Sequence, residues 1–181
     1  MPSDPFLMAI VTVLIQQLSW GVHAILIIGW VYCSEFTRRV CILLAAASIL
    51  LVSVNHLIGV LSPPGTLLLN TRVPHLQHSS PPLPFINQIA IISAFALIFW
   101  RCRGFRGFAI AHLLLLALIA GLRIGLGMND WPVVLASMIY GALMAGLLGE
   151  VAGWFVPAVA HISARWHEKF FAWWQKSALT K

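Results

Sequence analysis

Five long apolar stretches, separated by short polar breaks, set the pattern of this chain. A helix needs roughly 20 predominantly apolar residues to cross about 30 Å of hydrocarbon, and the stretches approach or exceed that length. Most prolines and charged residues lie in the breaks. We therefore predict an all-α integral membrane protein with about five transmembrane helices, at residues 6–32, 40–61, 85–100, 108–128 and 131–156.

The break at residues 62–84 differs from the others because six prolines crowd it. Proline lacks a backbone N–H and interrupts a regular helix, so we predict an extended loop over the outer membrane face. Residues 33–39 and 101–107 are predicted to be short loops. They hold most of the basic residues of the first two thirds of the chain: Arg38, Arg39, Arg101, Arg103 and Arg106.

Beyond Pro157, which allows a change of direction, apolar residues recur at intervals of three and four. They are Val159, Ile162, Trp166, Phe170 and Trp173, and charged residues fall largely between them. This pattern predicts an amphipathic helix suited to the membrane interface. Docking of a partner protein is the alternative use. The chain thus divides into a membrane domain, 1–156, and an interfacial cytoplasmic tail, 157–181.

Composition supports a place in the bilayer and indicates an orientation. Charged residues make up 9% of the 181 residues, against roughly 25% in soluble domains. We interpret the formal net charge of +6 as setting the orientation of the protein in the membrane and not as a sign of nucleic-acid binding. With five spans, the basic loops and the tail lie on the same side of the membrane. The positive-inside rule places that side in the cytoplasm and the N-terminus outside. Three cysteines form no Cys-x-x-Cys pair and are assigned no role: Cys33, Cys41 and Cys102.

The break before the last stretch carries the most specific motif. Arg123 lies near the end of one stretch, Asn129 follows six positions later, and Val133 four positions after that. A shorter motif, Pro84-Phe85-Ile86-Asn87, opens the third stretch. In spacing and surroundings these motifs resemble two signatures of the type 2 phosphatidic acid phosphatase family, and the layout is closest to its small bacterial undecaprenyl-diphosphate phosphatases. The resemblance covers nearly the whole chain and implies a multi-pass protein of the bacterial inner membrane.

The resemblance also implies that the reaction is lost. It places Asn87 and Asn129 where the family has its two histidines, and Val133 where it has the orienting aspartate. The first signature keeps only Arg72-Val73-Pro74, without its lysine. One family histidine attacks phosphorus and the other protonates the leaving group, and both roles need a basic ring nitrogen. An asparagine amide has none, so no catalytic residue is expected.

A protein that has lost the catalytic residues can still bind an anionic head group. Arg123, Asn87 and Asn129 still donate hydrogen bonds to phosphate. The structural alternatives are that Arg123 extends to the outer interface from a helix end and that the asparagines cap helices. The outer loop adds further candidates, Arg72, His75 and His78. Two histidines are weak grounds for a metal site, so no metal is expected. The alternatives are that His75 or His78 replaces the lost acid–base residues, or that both are exposed loop residues without a role.

Three ionisable residues lie at similar depth inside predicted spans: His23, His112 and Glu150. Such groups are rarely left unpaired in a membrane, so we expect a histidine–glutamate hydrogen bond to tie three spans together. A haem held by His23 and His112 is the alternative, although no cofactor is expected.

Small residues recur at every fourth position of the last span. Such spacing allows two helix backbones to approach closely in a membrane, either within this chain or against another subunit. The stripe consists of Ser137, Gly141, Ala145, Gly149 and Gly153.

These patterns favour a catalytically degenerate lipid-phosphate-phosphatase-like protein. It would be a lipid-binding or assembly subunit of an inner-membrane complex. Its partners would be a polyprenyl or phospholipid phosphate and other membrane proteins. Two alternatives stay open. One is an active, divergent phosphatase for undecaprenyl diphosphate or phosphatidic acid that uses His75 or His78, and the other is a haem- or quinone-linked membrane subunit.

Overall fold

A computed structural model describes residues 35–61 and 85–179, together with the isolated helical residues Val13, Gly21, Ala24 and Ile28; side chains at 163, 167, 171 and 173–179 are not described. These ranges hold four helices: α1, Glu35–Leu61; α2, Asn87–Arg101; α3, Arg106–Gly125; and α4, Trp131–Leu179. A 3-10 turn, Arg103–Phe105, joins α2 to α3. No strand occurs among the described residues, which confirms the all-α prediction there. The predicted first span and proline-rich loop lie outside them.

Three helices of the described chain are long and apolar enough to cross a membrane. They are Glu35–Leu61, Arg103–Gly125 (the 3-10 turn with α3) and the part of α4 at Trp131–Phe170. The length and apolar character of these helices support the coarse prediction of a helical membrane protein. Helix α2 is shorter, with 15 residues, or about 22 Å at 1.5 Å per residue.

Helix α2 occupies the centre of the bundle. Every residue from Ile89 to Ala96 is buried, and the helix packs against α1, α3 and α4, while α1 also packs against α4. A helix that is apolar and buried all round belongs to an interior. Its neighbours surround it, so its length does not have to match the thickness of the bilayer.

The closest approach in the bundle joins α4 to α2. A Cβ atom placed on Gly141 would lie 2.9 Å from Cα of Ala90 and nearer still to its carbonyl oxygen. Real Cβ atoms do not come so close to backbone, so this position requires glycine. Around the contact the core is filled by fully buried Leu51 and Phe95 and by Ala145.

Two predicted boundaries differ from the structure. Helix α1 begins at Glu35 instead of residue 40, so Arg38 and Arg39 lie in its first turns rather than in a loop. An acidic residue in the first turn favours a helix start, and Arg39 Nη2 pairs with Glu35 Oε1 at 2.6 Å. Helix α4 does not end at the predicted change of direction but continues through Pro157. A proline removes one backbone hydrogen bond, and the helix continues on both sides of it.

Candidate functional site

Polar side chains gather at one end of the bundle, where α2 begins. Helix α1 contributes Asn55 near its C-terminal end, α3 contributes Arg123, and α4 contributes Ser137. We call this region the polar end, defined by Asn55, Asn87, Gln88, Arg123, Asn129 and Ser137. The opposite end carries five arginines and is called the basic end: Arg38, Arg39, Arg101, Arg103 and Arg106. The ring contact of Phe36 with Phe105, at 5.9 Å, brings the start of α1 to the turn before α3.

Asn55 fixes the backbone that leads into α2. Its side chain is fully buried. Oδ1 accepts a hydrogen bond from the N–H of Phe85 at 3.1 Å, and Nδ2 donates to the carbonyl oxygen of Phe85 at 2.9 Å and to Oδ1 of Asn87. Both amide hydrogens of Asn55 are therefore used. A polar side chain inside an apolar helix is stable here because the chain satisfies it completely.

Ser137 holds the same segment from the side of α4. Ile86 provides no side-chain cap for α2, but its N–H donates to Oγ of Ser137 at 2.9 Å. The Ser137 hydroxyl in turn donates to the carbonyl oxygen of Val133 at 2.7 Å. The start of α2 is thus held between α1 and α4, and this fixes the position of the next side chain, Gln88.

Arg123 bridges the two motifs that the sequence singled out. Its Nη1 donates to Oδ1 of Asn129 at 2.8 Å, and its Nη2 donates to Oε1 of Gln88, next to Asn87, at 2.7 Å. A guanidinium only donates, so the amide oxygen of Asn129 must face it. The arrangement brings the third-stretch motif and the last break together around one cation.

The turn after α3 places Asn129 beside Arg123. Gly127 adopts a φ of 67°, a left-handed conformation that glycine reaches without strain. The backbone N–H groups of Met128 and Asn129 then donate to the carbonyl oxygen of Arg123, at 2.9 and 3.3 Å. Because this turn ends a helix, the partial negative charge of the helix C-terminus also favours the guanidinium.

Two buried donors at this cation have no partner in the described part of the chain. They are Nε of Arg123 and Nδ2 of Asn129, and Asn129 is only 6% exposed. Buried polar atoms are nearly always hydrogen-bonded, so each of these donors is expected to have an acceptor outside the described residues. In the described residues the ion pair found is Arg39 with Glu35 at the basic end, and no carboxylate lies within ion-pair distance of Arg123.

No family model, curated protein or solved structure matches this chain. Nor do the described residues contain a group of three or more histidine, cysteine, aspartate or glutamate side chains that would hold a metal ion.

The remaining candidates from the sequence are not part of the polar end. Val133 is buried, and a valine side chain offers no carboxylate. Arg72, His75 and His78 lie outside the described residues, as does His23. His112 Nδ1 contacts the carbonyl oxygen of Phe108 at 2.8 Å in its own helix, and its ring lies against Phe99. Glu150 is exposed on α4, and no hydrogen bond joins it to His112 in the described chain.

The small-residue stripe changes its surroundings along α4. Ser137, Gly141 and Ala145 are buried. A Cβ atom on Gly149 would meet the guanidinium of Arg101, whereas Gly153 is exposed and has nothing within 4 Å. The first part of the stripe therefore packs inside this chain, and its last member leaves the bundle.

Two members of the polar end, and one residue that packs beside it, were not among the predicted site residues. Asn55 and Gln88 bind across helices, and Tyr140 donates from its hydroxyl to the carbonyl oxygen of Leu51 at 2.9 Å. The Tyr140 ring stacks on Phe85 with ring centroids 4.4 Å apart. The sequence feature that could have identified these residues is a polar side chain inside or at the edge of an apolar stretch. In membranes such a side chain usually faces other helices.

Proposed function

We propose that this chain is a catalytically degenerate relative of the type 2 phosphatidic acid phosphatases that binds the phosphate head group of a membrane lipid. It acts as a lipid-binding or assembly subunit of a bacterial inner-membrane complex. The observation that carries the proposal is Arg123, whose half-buried guanidinium has neutral amide partners and one buried donor, Nε, without a partner in the described residues.

The electrostatics of Arg123 support an anionic ligand. Charged side chains at membrane depth normally pair with an opposite charge or line a polar cavity. Gln88 and Asn129 supply oxygen atoms but no negative charge. A phosphate group would supply that charge, and guanidinium groups bind phosphate through several short charge-assisted hydrogen bonds.

The chemistry of the polar end supports binding without turnover. The described side chains that bind Arg123 are two amides, which exchange hydrogen bonds but do not transfer protons at neutral pH. Val133 stands where the resemblance implies an orienting carboxylate. The proposed role is therefore to hold a lipid phosphate rather than to cleave it.

The distribution of charge supports the proposed orientation. The five arginines of the basic end lie opposite the polar end, as α1 to α4 alternate in direction. With the basic end in the cytoplasm, five spans put the N-terminus and the head-group site outside. A site at that level is within reach of lipids of the outer leaflet.

A thermal-shift experiment on the purified protein in lipid nanodiscs tests the proposal. Discs of phosphatidylcholine with and without phosphatidic acid are compared for the natural protein and for Arg123→Ala and Arg123→Lys. A ligand at 100 times its Kd stabilises by about 2.7 kcal/mol. We expect phosphatidic acid to raise the Tm of the natural protein, to raise that of Arg123→Lys less, and to leave Arg123→Ala unchanged.

The matched control is Arg106→Ala, which removes an exposed arginine at the basic end and should keep the full shift. An unchanged shift in Arg123→Ala would contradict the site. Release of inorganic phosphate by the pure protein, abolished in Arg123→Ala, would contradict the absence of catalysis. Native mass spectrometry of the complex extracted in mild detergent then reports bound lipid and co-purifying subunits together.

A further inference from the structure

Helix α4 continues well beyond the bundle that supports it. Its last buried residue is Val156, and every described side chain from Pro157 to Ala172 is exposed or half-buried. At 1.5 Å per residue, the part from Pro157 to Leu179 is about 34 Å long. We call this part of α4 the arm. Packing against α1 or α2 does not account for it.

The arm carries an apolar stripe beside a basic one. Val159, Ile162 and Trp166 are exposed by 40%, 57% and 69%, and their spacing of three and four residues puts them on one side of the helix. Arg165 and Lys169, four residues apart and also exposed, form a row along the edge of that side. Glu168 lies further round the helix.

The arm leaves the bundle at the basic end. Gly149 lies against the guanidinium of Arg101, which places this level of α4 beside the end of α2. Among the five arginines there, Arg39 is the one with a carboxylate partner in the described residues. The arm therefore emerges next to a surface of positive charge, and it adds two more basic side chains.

The basic residues indicate which kind of partner covers the apolar stripe. A second copy of the chain would bring the same basic row, and like charges would face each other. An anionic lipid surface provides both an apolar layer for Ile162 and Trp166 and negative head groups for Arg165 and Lys169. It also lies directly where the helix leaves the membrane.

We propose that the arm binds the anionic lipid surface at the basic end of the bundle. The helix can bend to reach it at Gly153 and Pro157. Pro157 has no N–H to donate to the carbonyl oxygen of Gly153, and nothing lies within 4 Å of a Cβ placed on Gly153. This inference does not depend on the head-group site at Arg123.

Hydrogen exchange of the full-length protein in nanodiscs tests the arm. Discs of phosphatidylcholine are compared with discs that also contain phosphatidylglycerol, and peptides from the arm are followed by mass spectrometry. Each basic residue near an anionic surface contributes roughly 5-fold to binding, or about 25-fold for two. We expect exchange in the arm to slow by at least about 10-fold in the anionic discs, with peptides of α2 unchanged.

Charge variants separate the occupants. In the double variant Arg165→Gln, Lys169→Gln the difference between the two lipids should fall to about twofold or less, whereas the matched control Glu168→Gln should keep it. Equal exchange in both lipids for the natural protein would overturn the proposal. Slow exchange that requires a second copy in the disc or a co-purified protein would also overturn it, because the apolar stripe would then bind a protein and not the lipid surface.

Discussion

Asn55→Leu is the substitution that most directly tests how the polar end is built. Leucine has the same number of side-chain heavy atoms, branched at the same position, and suits an apolar helix, so the change removes the hydrogen bonds and adds only the extra bulk of the methyl groups. Three bonds are lost, two to the backbone of Phe85 and one to Asn87. The N–H and carbonyl groups of Phe85 are then left in a half-buried position without their partner.

The expected magnitude follows from those three bonds. Interhelical hydrogen bonds in a membrane protein average about 0.6 kcal/mol each, which gives about 2 kcal/mol as a lower figure. If both Phe85 groups stay unpaired, the cost is about 1–3 kcal/mol for each. We therefore expect Asn55→Leu to lower the free energy of unfolding by about 2–6 kcal/mol. Head-group binding should weaken too, because the same backbone positions Gln88 against Arg123.

Reversible unfolding in mixed micelles with increasing SDS measures this change. Ser93→Ala is the matched control, because Ser93 Oγ donates a single bond to the carbonyl oxygen of Met138 at 2.9 Å, and about 0.6 kcal/mol is expected. Asn55→Asp loses both amide hydrogens, so it should lower the free energy of unfolding by more than Ser93→Ala does. If the free energy of unfolding of Asn55→Leu lies within about 0.5 kcal/mol of that of the natural protein, the hydrogen bonds of Asn55 do not hold the start of α2, and the prediction is wrong.

Three further outcomes follow from single contacts. Gly141→Ala should cost about 1–3 kcal/mol by forcing α4 away from Ala90, whereas Gly146→Ala, with nothing within 4 Å, should be neutral or stabilising in the same unfolding assay; equal effects would contradict the close approach. Tyr140→Phe should cost about 0.6–1.5 kcal/mol, while loss of the ring in Tyr140→Ala costs more. Burial raises the pKa of the Cys102 thiol, so alkylation of Cys102, followed with Cys33→Ser and Cys41→Ser, should still accelerate at a pH where a free thiol has levelled off.

The apolar stretches predicted much of the described fold because length and hydrophobicity decide which segments can cross a bilayer. The pairing of Arg123 with Asn129 was also within reach, since six residues and one glycine turn separate them. The partnership of Arg123 with Gln88 was not, because no local pattern fixes which faces of two distant helices meet. The same limit hid Asn55, and the continuation of α4 through Pro157 shows that helical neighbours outweigh one missing backbone bond.

The hydrogen bonds of the polar end restrict what a ligand there can be. Oδ1 of Asn55 accepts from Phe85, Oδ1 of Asn87 from Asn55, and the amide oxygens of Gln88 and Asn129 from Arg123. Each of these amide oxygens accepts one hydrogen bond, whereas the buried atoms without a partner, Nε of Arg123 and Nδ2 of Asn129, are donors. A cation or an amine would bring no acceptor for these donors and would meet the charge of Arg123. A lipid alcohol would bring an acceptor oxygen but would leave the charge of Arg123 uncompensated. A phosphate monoester offers several acceptor oxygens together with negative charge, so nanodiscs containing diacylglycerol in place of phosphatidic acid should leave the Tm of the natural protein unchanged.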